Sequence, residues 1–97
     1  MTLYYYSTEY PKDGQDLDEF FEYDTHVYES LYNSLPIDTM TIDIARELYH
    51  EHEGWDWWGR DEDIQIHVWD NTRKYLGWFN ASFEVEPVFS TGNMVKP

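Results

Sequence analysis

The sequence predicts an α+β domain in which a small antiparallel β-sheet carries one or two helices packed on one face. An aromatic segment near the start is typical of a strand, apolar residues between positions 39 and 53 follow a helical period, and two segments after position 63 alternate in hydropathy. Neither repeats nor a linker separate these segments, so they are expected to share one core. A chain of 97 residues can form only one hydrophobic core, which predicts a single acidic domain over residues 1–97.

The first half of the chain is expected to form a strand followed by a helix. Aromatic and β-branched residues dominate residues 3–8, and a cluster of turn formers follows them. From Asp16, which can serve as N-cap, apolar residues recur near the helical period as far as Leu35. We therefore expect a helix that is broken near Thr25 and ended by Pro36.

A second helix is expected over residues 39–53, capped by Asp38 or Thr39 and stopped by Gly54. Its predicted buried stripe is Met40, Ile44, Ala45, Leu48 and His52. The tryptophan-rich segment 55–61 has no period and is interpreted as a connection.

The remaining residues predict a β-hairpin. Residues 64–69 and 78–86 alternate between apolar and polar side chains, and residues 70–74 between them carry turn chemistry. Pro87 is expected to end the second strand or to lie at a sheet edge. The tail from residue 90 to residue 97 is predicted to be loose.

Composition excludes several functional classes. The chain has no cysteine, so it forms no disulfide and offers no thiolate. Neither a secretory signal nor an apolar stretch of membrane-spanning length is recognisable, which predicts a cytoplasmic protein without a membrane role. Phosphate-binding glycine loops and a Gly-x-Ser-x-Gly motif are missing from the sequence, so no enzyme and no cofactor is expected.

The histidine-rich segment 50–53 does not predict a metal site. In a helix, residues two apart point about 200° away from each other, so His50 and His52 do not readily bind one ion. The zinc-protease spacing of two histidines around a glutamate is absent from this segment. His26 and His67 lie elsewhere in the sequence and could converge in the fold. We expect no bound metal.

The net charge of −14 is confined to one part of the sequence. Residues 9 to 63 contain 17 of the 20 acidic residues but only Lys12, Arg46 and Arg60 as cations, whereas residues 64 to 97 are neutral. This asymmetry suggests an acidic face that would bind a basic partner, and it disfavours direct nucleic-acid binding. The alternative is that the acidity serves only solubility.

The acidic residues are also spaced in a regular way. Asp43, Glu47 and Glu51 recur every four residues, which on a helix places carboxylates about 6 Å apart in a row. Asp18, Glu22 and Glu29 would form a less regular row on the first helix. Since such like-charge spacing lowers helix stability by a few tenths of a kcal/mol per pair, we interpret the rows as surfaces for a cleft lined by Lys and Arg.

Tryptophans admit two interpretations, as core residues or as anchors at an interface. We include Trp57 and Trp58 among the predicted partner-binding residues, because they lie in the predicted connection beside the acidic helix. The full predicted set is Asp18, Glu22, Glu29, Asp43, Glu47, Glu51, Trp57 and Trp58.

In size, charge and absence of catalytic motifs, the chain resembles the acidic DNA-mimic inhibitors that phages direct against restriction or CRISPR systems. The resemblance covers residues 9 to 63, where Tyr23, Tyr28 and Tyr49 lie among the acids. It implies an inhibitor that occupies the nucleic-acid-binding surface of a basic protein in the host cytoplasm. The alternatives are an immunity or antitoxin protein that neutralises a basic nuclease and a phage structural or accessory protein. Homodimerisation is left open.

Overall fold

The computed structural model describes residues 2–30, 40–85 and 88–97, which form a five-stranded antiparallel sheet with short helices. In chain order the elements are β1 (Thr2–Ser7), α1 (Leu17–Glu19), a π-helical turn (Phe20–Asp24), β2 (His26–Ser30), α2 (Thr41–Glu51), α3 (Gly54–Trp57), β3 (Ile64–Asp70), β4 (Tyr75–Val85) and β5 (Val88–Thr91). The strand order is β2-β1-β3-β4-β5. The predicted α+β class and antiparallel sheet are confirmed.

Helix α2 lies against one face of the curled sheet and contacts strands at both edges. The Tyr28 hydroxyl of β2 donates to the Asp43 carboxylate over 3.4 Å, and the Thr41 and Thr91 hydroxyls, on α2 and β5, lie 2.7 Å apart. Between these contacts the helix buries Ile44, Ala45, Leu48 and Tyr49 against Tyr6, Ile66, Val68, Phe79, Ala81 and Phe83. The predicted second helix is confirmed, with its limits at Thr41–Glu51.

A smaller cluster covers part of the opposite face. Phe20 and Phe21 of the π-helical turn pack edge-on against Trp69, with each ring centroid 5.4 Å from that of the indole. Tyr5 and Tyr75 complete this cluster. Because successive residues of a strand point to opposite faces, β1 contributes Tyr6 to the main core and Tyr5 to this one.

The prediction of a helix through residues 26–30 is wrong, because this segment forms β2. It pairs antiparallel with β1, in a register that sets Tyr6 opposite His26 and Thr2 opposite Ser30. The helical period stops at the π-helical turn, where the Thr25 hydroxyl donates to the Phe21 carbonyl over 2.7 Å. Beyond it the β-branched and aromatic residues of His26–Ser30 suit a strand. The predicted continuation to Leu35, the stop at Pro36 and the caps Asp38 and Thr39 lie outside the described residues.

The junction after α2 differs from the predicted connection. The chain turns at Glu53, which has φ +60°, and Gly54 then begins α3 instead of merely ending α2. A Cβ atom on Gly54 would lie 2.7 Å from the Tyr49 Cα, so glycine permits the close packing of the two helices.

No helix among the described residues is long and apolar enough to cross a membrane.

The predicted hairpin is confirmed as β3 and β4, and the tail after it is more ordered than predicted. Val88–Thr91 forms β5 against β4, and Val95 bridges to Trp78. Phe89 and Met94 are buried in the main core. The prediction of a loose tail is therefore wrong, because these apolar side chains hold it against the sheet.

We expect Gly77→Ala to detach the tail and to lower the free energy of unfolding by about 2–4 kcal/mol. Gly77 has φ +133°, and a Cβ there would lie 2.0 Å from the Val95 carbonyl oxygen. Thermal denaturation would measure the loss. Gly92→Ala is the matched control, because its Cβ would meet nothing closer than the Asn80 oxygen at 3.9 Å. Equal stability of both variants would contradict the assigned tail packing.

Candidate functional site

Acidic side chains cover the surface of the segment from residue 9 to residue 63. Within its described part, every Asp and Glu is exposed except Asp24 and Glu47, which are half-buried. Arg46 lies 3.9 Å from Asp43 and Arg60 lies 3.8 Å from Asp61, with all four side chains half exposed or more. The three cations of this segment, Lys12, Arg46 and Arg60, offset little of the charge of its 17 acidic residues.

The predicted acidic row of the second helix exists and lines a groove beside β2. The groove has a volume of about 280 Å³ and is lined by Tyr28, Asp43, Arg46, Glu47, His50 and Glu51. Asp43 and Glu51 are exposed, whereas Glu47 between them is half-buried. Burial, with a further contribution from the Asp43 charge, raises the pKa of Tyr28 to about 12. The row thus forms one wall of a groove and not a free edge.

At the C-terminal end of α2, three side chains that can bind a metal converge. Glu47, Glu51 and His52 each offer one ligand atom, and these three atoms all lie within 4.8 Å of one another. The two glutamates are one helical turn apart and therefore lie on one side of α2. His52 is the C-cap residue, with φ −119° and ψ 27°, so its backbone has left the helix. This departure brings the imidazole to the carboxylates.

Two residues of the sheet pack against this group. The His26 ring of β2 stacks on the His52 ring, with centroids 3.7 Å apart and planes 15° from parallel. The Tyr6 ring of β1 lies 5.4 Å from His26 and 6.1 Å from His52, centroid to centroid. We refer to Tyr6, His26, Glu47, Glu51 and His52 as the Glu–His cluster.

Two buried polar atoms of the Glu–His cluster have no partner in good hydrogen-bond geometry among the described residues. They are the Tyr6 hydroxyl and the Glu47 Oε2 atom. Burial raises the pKa of Tyr6 above its usual value, and the nearby Glu47 carboxylate raises it further through its charge and as a hydrogen-bond acceptor. A buried polar atom without a partner costs about 1–3 kcal/mol. The cluster is therefore a place where the fold gives up stability.

Ionisation of the cluster is also perturbed. Burial raises the pKa of Glu47, and the neighbouring Glu51 charge raises it further. Burial lowers the pKa of His26, and the adjacent His52 adds to this effect. Near neutral pH the His26 imidazole is consequently uncharged.

The three other predicted acids lie on the opposite side of the sheet from α2. Asp18 accepts a charged hydrogen bond from Arg73, whose guanidinium carbon lies 5.0 Å from the centre of the Phe21 ring. Glu22 is exposed on the π-helical turn, and Glu29 is exposed on β2 opposite Leu3. The predicted second row is therefore wrong as a helical row, because Glu29 belongs to a strand.

The tryptophans divide between the two interpretations. Trp58 is only 3% exposed, packs in the main core and donates its indole N–H to the Glu62 carbonyl over 2.8 Å. Trp57 is 48% exposed and Trp55 59% exposed. The Trp57 ring stacks on that of Trp58 at 6.3 Å between centroids, with planes 18° apart. Of the three tryptophans in residues 55–58, Trp55 and Trp57 therefore lie at the surface.

Sequence reasoning gave no functional role to Tyr6 and Tyr28, although both contact the acidic row. Tyr6 follows two other tyrosines in β1, so the sequence pattern gave no signal that singles it out. His26 does converge with another histidine, but that histidine is His52 and not His67, because β2 replaces the predicted helix.

A larger groove of about 580 Å³ lies away from α2. Its lining residues are Thr2, Tyr4, Asp70, Lys74, Tyr75, Leu76, Lys96 and Pro97. Two lysines against one aspartate make its side-chain charge opposite in sign to that of the α2 groove. The acidic surface does not extend into it.

We predict that Glu47→Gln raises the melting temperature at pH 7 by a few degrees when a chelator is present. The raised pKa means that the folded state holds a proton on Glu47 more tightly than the unfolded state, so ionised Glu47 lowers stability at neutral pH. The gain in melting temperature should shrink as the pH falls toward 4.5, which is the ordinary pKa of a glutamate side chain. Thermal melts at several pH values measure it. Exposed Glu22→Gln is the control, and a loss of stability for Glu47→Gln at pH 7 would contradict the assignment.

The chain was compared with protein-family models, with curated proteins and with solved structures. No family model, no curated protein and no solved structure matches it.

Proposed function

We propose that this protein is a non-enzymatic binding protein whose acidic surface occupies a basic, nucleic-acid-binding surface of a partner protein, as a DNA-mimic inhibitor does. The observation that carries this proposal is the exposed and largely unpaired acidic surface of residues 9 to 63, which holds the entire net charge of −14. A field of one sign accelerates association with a partner of the opposite sign.

Helix α2 supplies the most regular part of this surface. Asp43 and Glu51 are exposed at two ends of a row whose successive carboxylates are about 6 Å apart along the axis. The apolar stripe of the helix is buried in the main core, so the row is held in place before a partner arrives. A preorganised row loses little conformational entropy on binding.

Exposed aromatic side chains follow directly on this helix. Trp55 and Trp57 lie in α3, immediately after the acidic end of α2. Because Trp57 stacks on the fixed Trp58 ring, it presents a large surface with restricted motion. Such residues are enriched among interface hot spots. We assign Trp57 the anchoring role and Trp58 a supporting role within the core.

Capture from a nuclease-treated lysate of a bacterial host, with chelator present, tests this proposal. We expect the immobilised protein to retain nucleic-acid-binding proteins, to release them as salt rises, and to lose them to competing duplex DNA. Exposed charge pairs are screened over about 8–10 Å at physiological ionic strength, which explains the salt effect. Mass spectrometry identifies the captured proteins, and a captured basic nuclease would identify the protein as an immunity protein of the same binding type. If the captured proteins remain bound at high salt and in the presence of competing DNA, the proposal is contradicted.

The captured partner then allows a comparison at equal charge. We expect the triple variant Asp43→Asn, Glu47→Gln and Glu51→Gln to slow association by at least tenfold. The control triple Glu9→Gln, Asp13→Asn and Glu19→Gln removes the same charge elsewhere and should slow association much less. Surface plasmon resonance measures both rates. Equal rates for the two triples would show that net charge, and not the α2 row, drives association.

The aromatic anchor is tested separately. We expect Trp57→Ala to weaken partner binding by about 2 kcal/mol, mainly through faster dissociation. Trp55→Ala is the matched exposed control. If Trp57→Ala abolishes binding while the α2 triple has no effect, the interface is apolar and the acidity serves only solubility.

A further inference from the structure

The geometry of the Glu–His cluster points to a metal site. We propose that Glu47, Glu51 and His52 bind one divalent first-row transition metal ion, with Zn²⁺ as the representative ion. Their ligand atoms lie within 4.8 Å of one another. At bond lengths of about 2.0–2.2 Å, two ligands of one zinc ion lie about 3.5 Å apart. The ligand atoms would have to approach one another by only about 1 Å to reach this spacing.

The donor set selects the class of metal. Two carboxylates and one imidazole suit Zn²⁺ and its neighbours, whereas Mg²⁺ and Ca²⁺ prefer sites built from oxygen alone. Three protein ligands leave a fourth position of a tetrahedral ion open to water. This site differs from the His50–His52 pair considered in the sequence analysis, since it combines His52 with the two glutamates and leaves His50 out.

An independent observation marks the same position. The Tyr6 side chain is 0% exposed, and its hydroxyl lies beside Glu47 without a partner in good hydrogen-bond geometry among the described residues. Metal-binding carboxylates commonly accept a hydrogen bond from a second residue that fixes their orientation. With one Glu47 oxygen on the ion, the Tyr6 hydroxyl is placed to donate to the other. An ion on one Glu47 oxygen would orient the carboxylate so that its other oxygen accepts from Tyr6.

His26 acts as a positioning residue. Its ring stacks on His52 at 3.7 Å between centroids and restricts the plane of the metal-binding imidazole. The proposal does not rest on the proposed function, because the site lies within the isolated protein.

Calorimetric titration of chelator-treated protein with ZnCl₂ tests the site. We expect one ion per chain, a rise in melting temperature, and a loss of affinity of at least about tenfold in Glu51→Gln and in His52→Asn. Asp43→Asn and His50→Asn are matched controls on the same helix and should retain wild-type affinity. Tyr6→Phe should weaken binding by about tenfold while leaving one ion per chain.

A measurement on the wild-type protein covers the case in which a variant does not fold. In histidine-edited NMR spectra, Zn²⁺ should shift the resonances of His52 and the stacked His26, and leave those of His50 and His67 in place. No saturable binding at 100 μM Zn²⁺, used here as an order-of-magnitude limit, would overturn the proposal. Shifts centred on His50 would overturn it as well, since they would indicate adventitious binding in the open groove.

Discussion

The packing of α2 inside the curl of the sheet is the constraint on which the rest of the structure depends. The helix contacts β2 through Tyr28 and Asp43, and β5 through Thr41 and Thr91. Its apolar stripe fills the main core, so its acidic side is left at the edge beside β1 and β2. The same placement sets His52 against His26 and Glu47 against Tyr6, and therefore creates both the acidic groove and the Glu–His cluster.

Local patterns predicted those parts of the fold in which one face is apolar. The alternation in residues 64–69 and the helical stripe through Ile44 and Leu48 identified β3 and α2, because burial of one face leaves a clear period. Strands β2 and β5 were missed, since each is short and its alternation in burial is not matched by hydropathy: Val27 and Val88 are apolar but exposed. Their place is decided by pairing with β1 and β4, which is tertiary information. The acidic row on α2 was predictable from spacing, whereas the Glu–His cluster was not, because it needs β2 and the turn at His52.

Glu47 and Glu51 belong to both proposals, and this overlap has a physical consequence. A divalent ion held by these carboxylates would cancel two of the three charges in the α2 row. Since association with a basic partner depends on the local field, metal occupancy would weaken the acidic surface without altering the fold. The metal content of the protein therefore has to be controlled in any binding experiment.

If α2 and α3 present the binding surface, a chemical-shift map of the complex will locate the contact on these two helices. The isotope-labelled, metal-free protein is titrated with the partner identified by capture, and backbone amides and tryptophan indoles are followed. We expect the largest changes at Asp43, Glu51 and the Trp57 indole, with β4 and β5 unaffected. Changes confined to β4 and β5, with none in α2 and α3, would contradict this assignment.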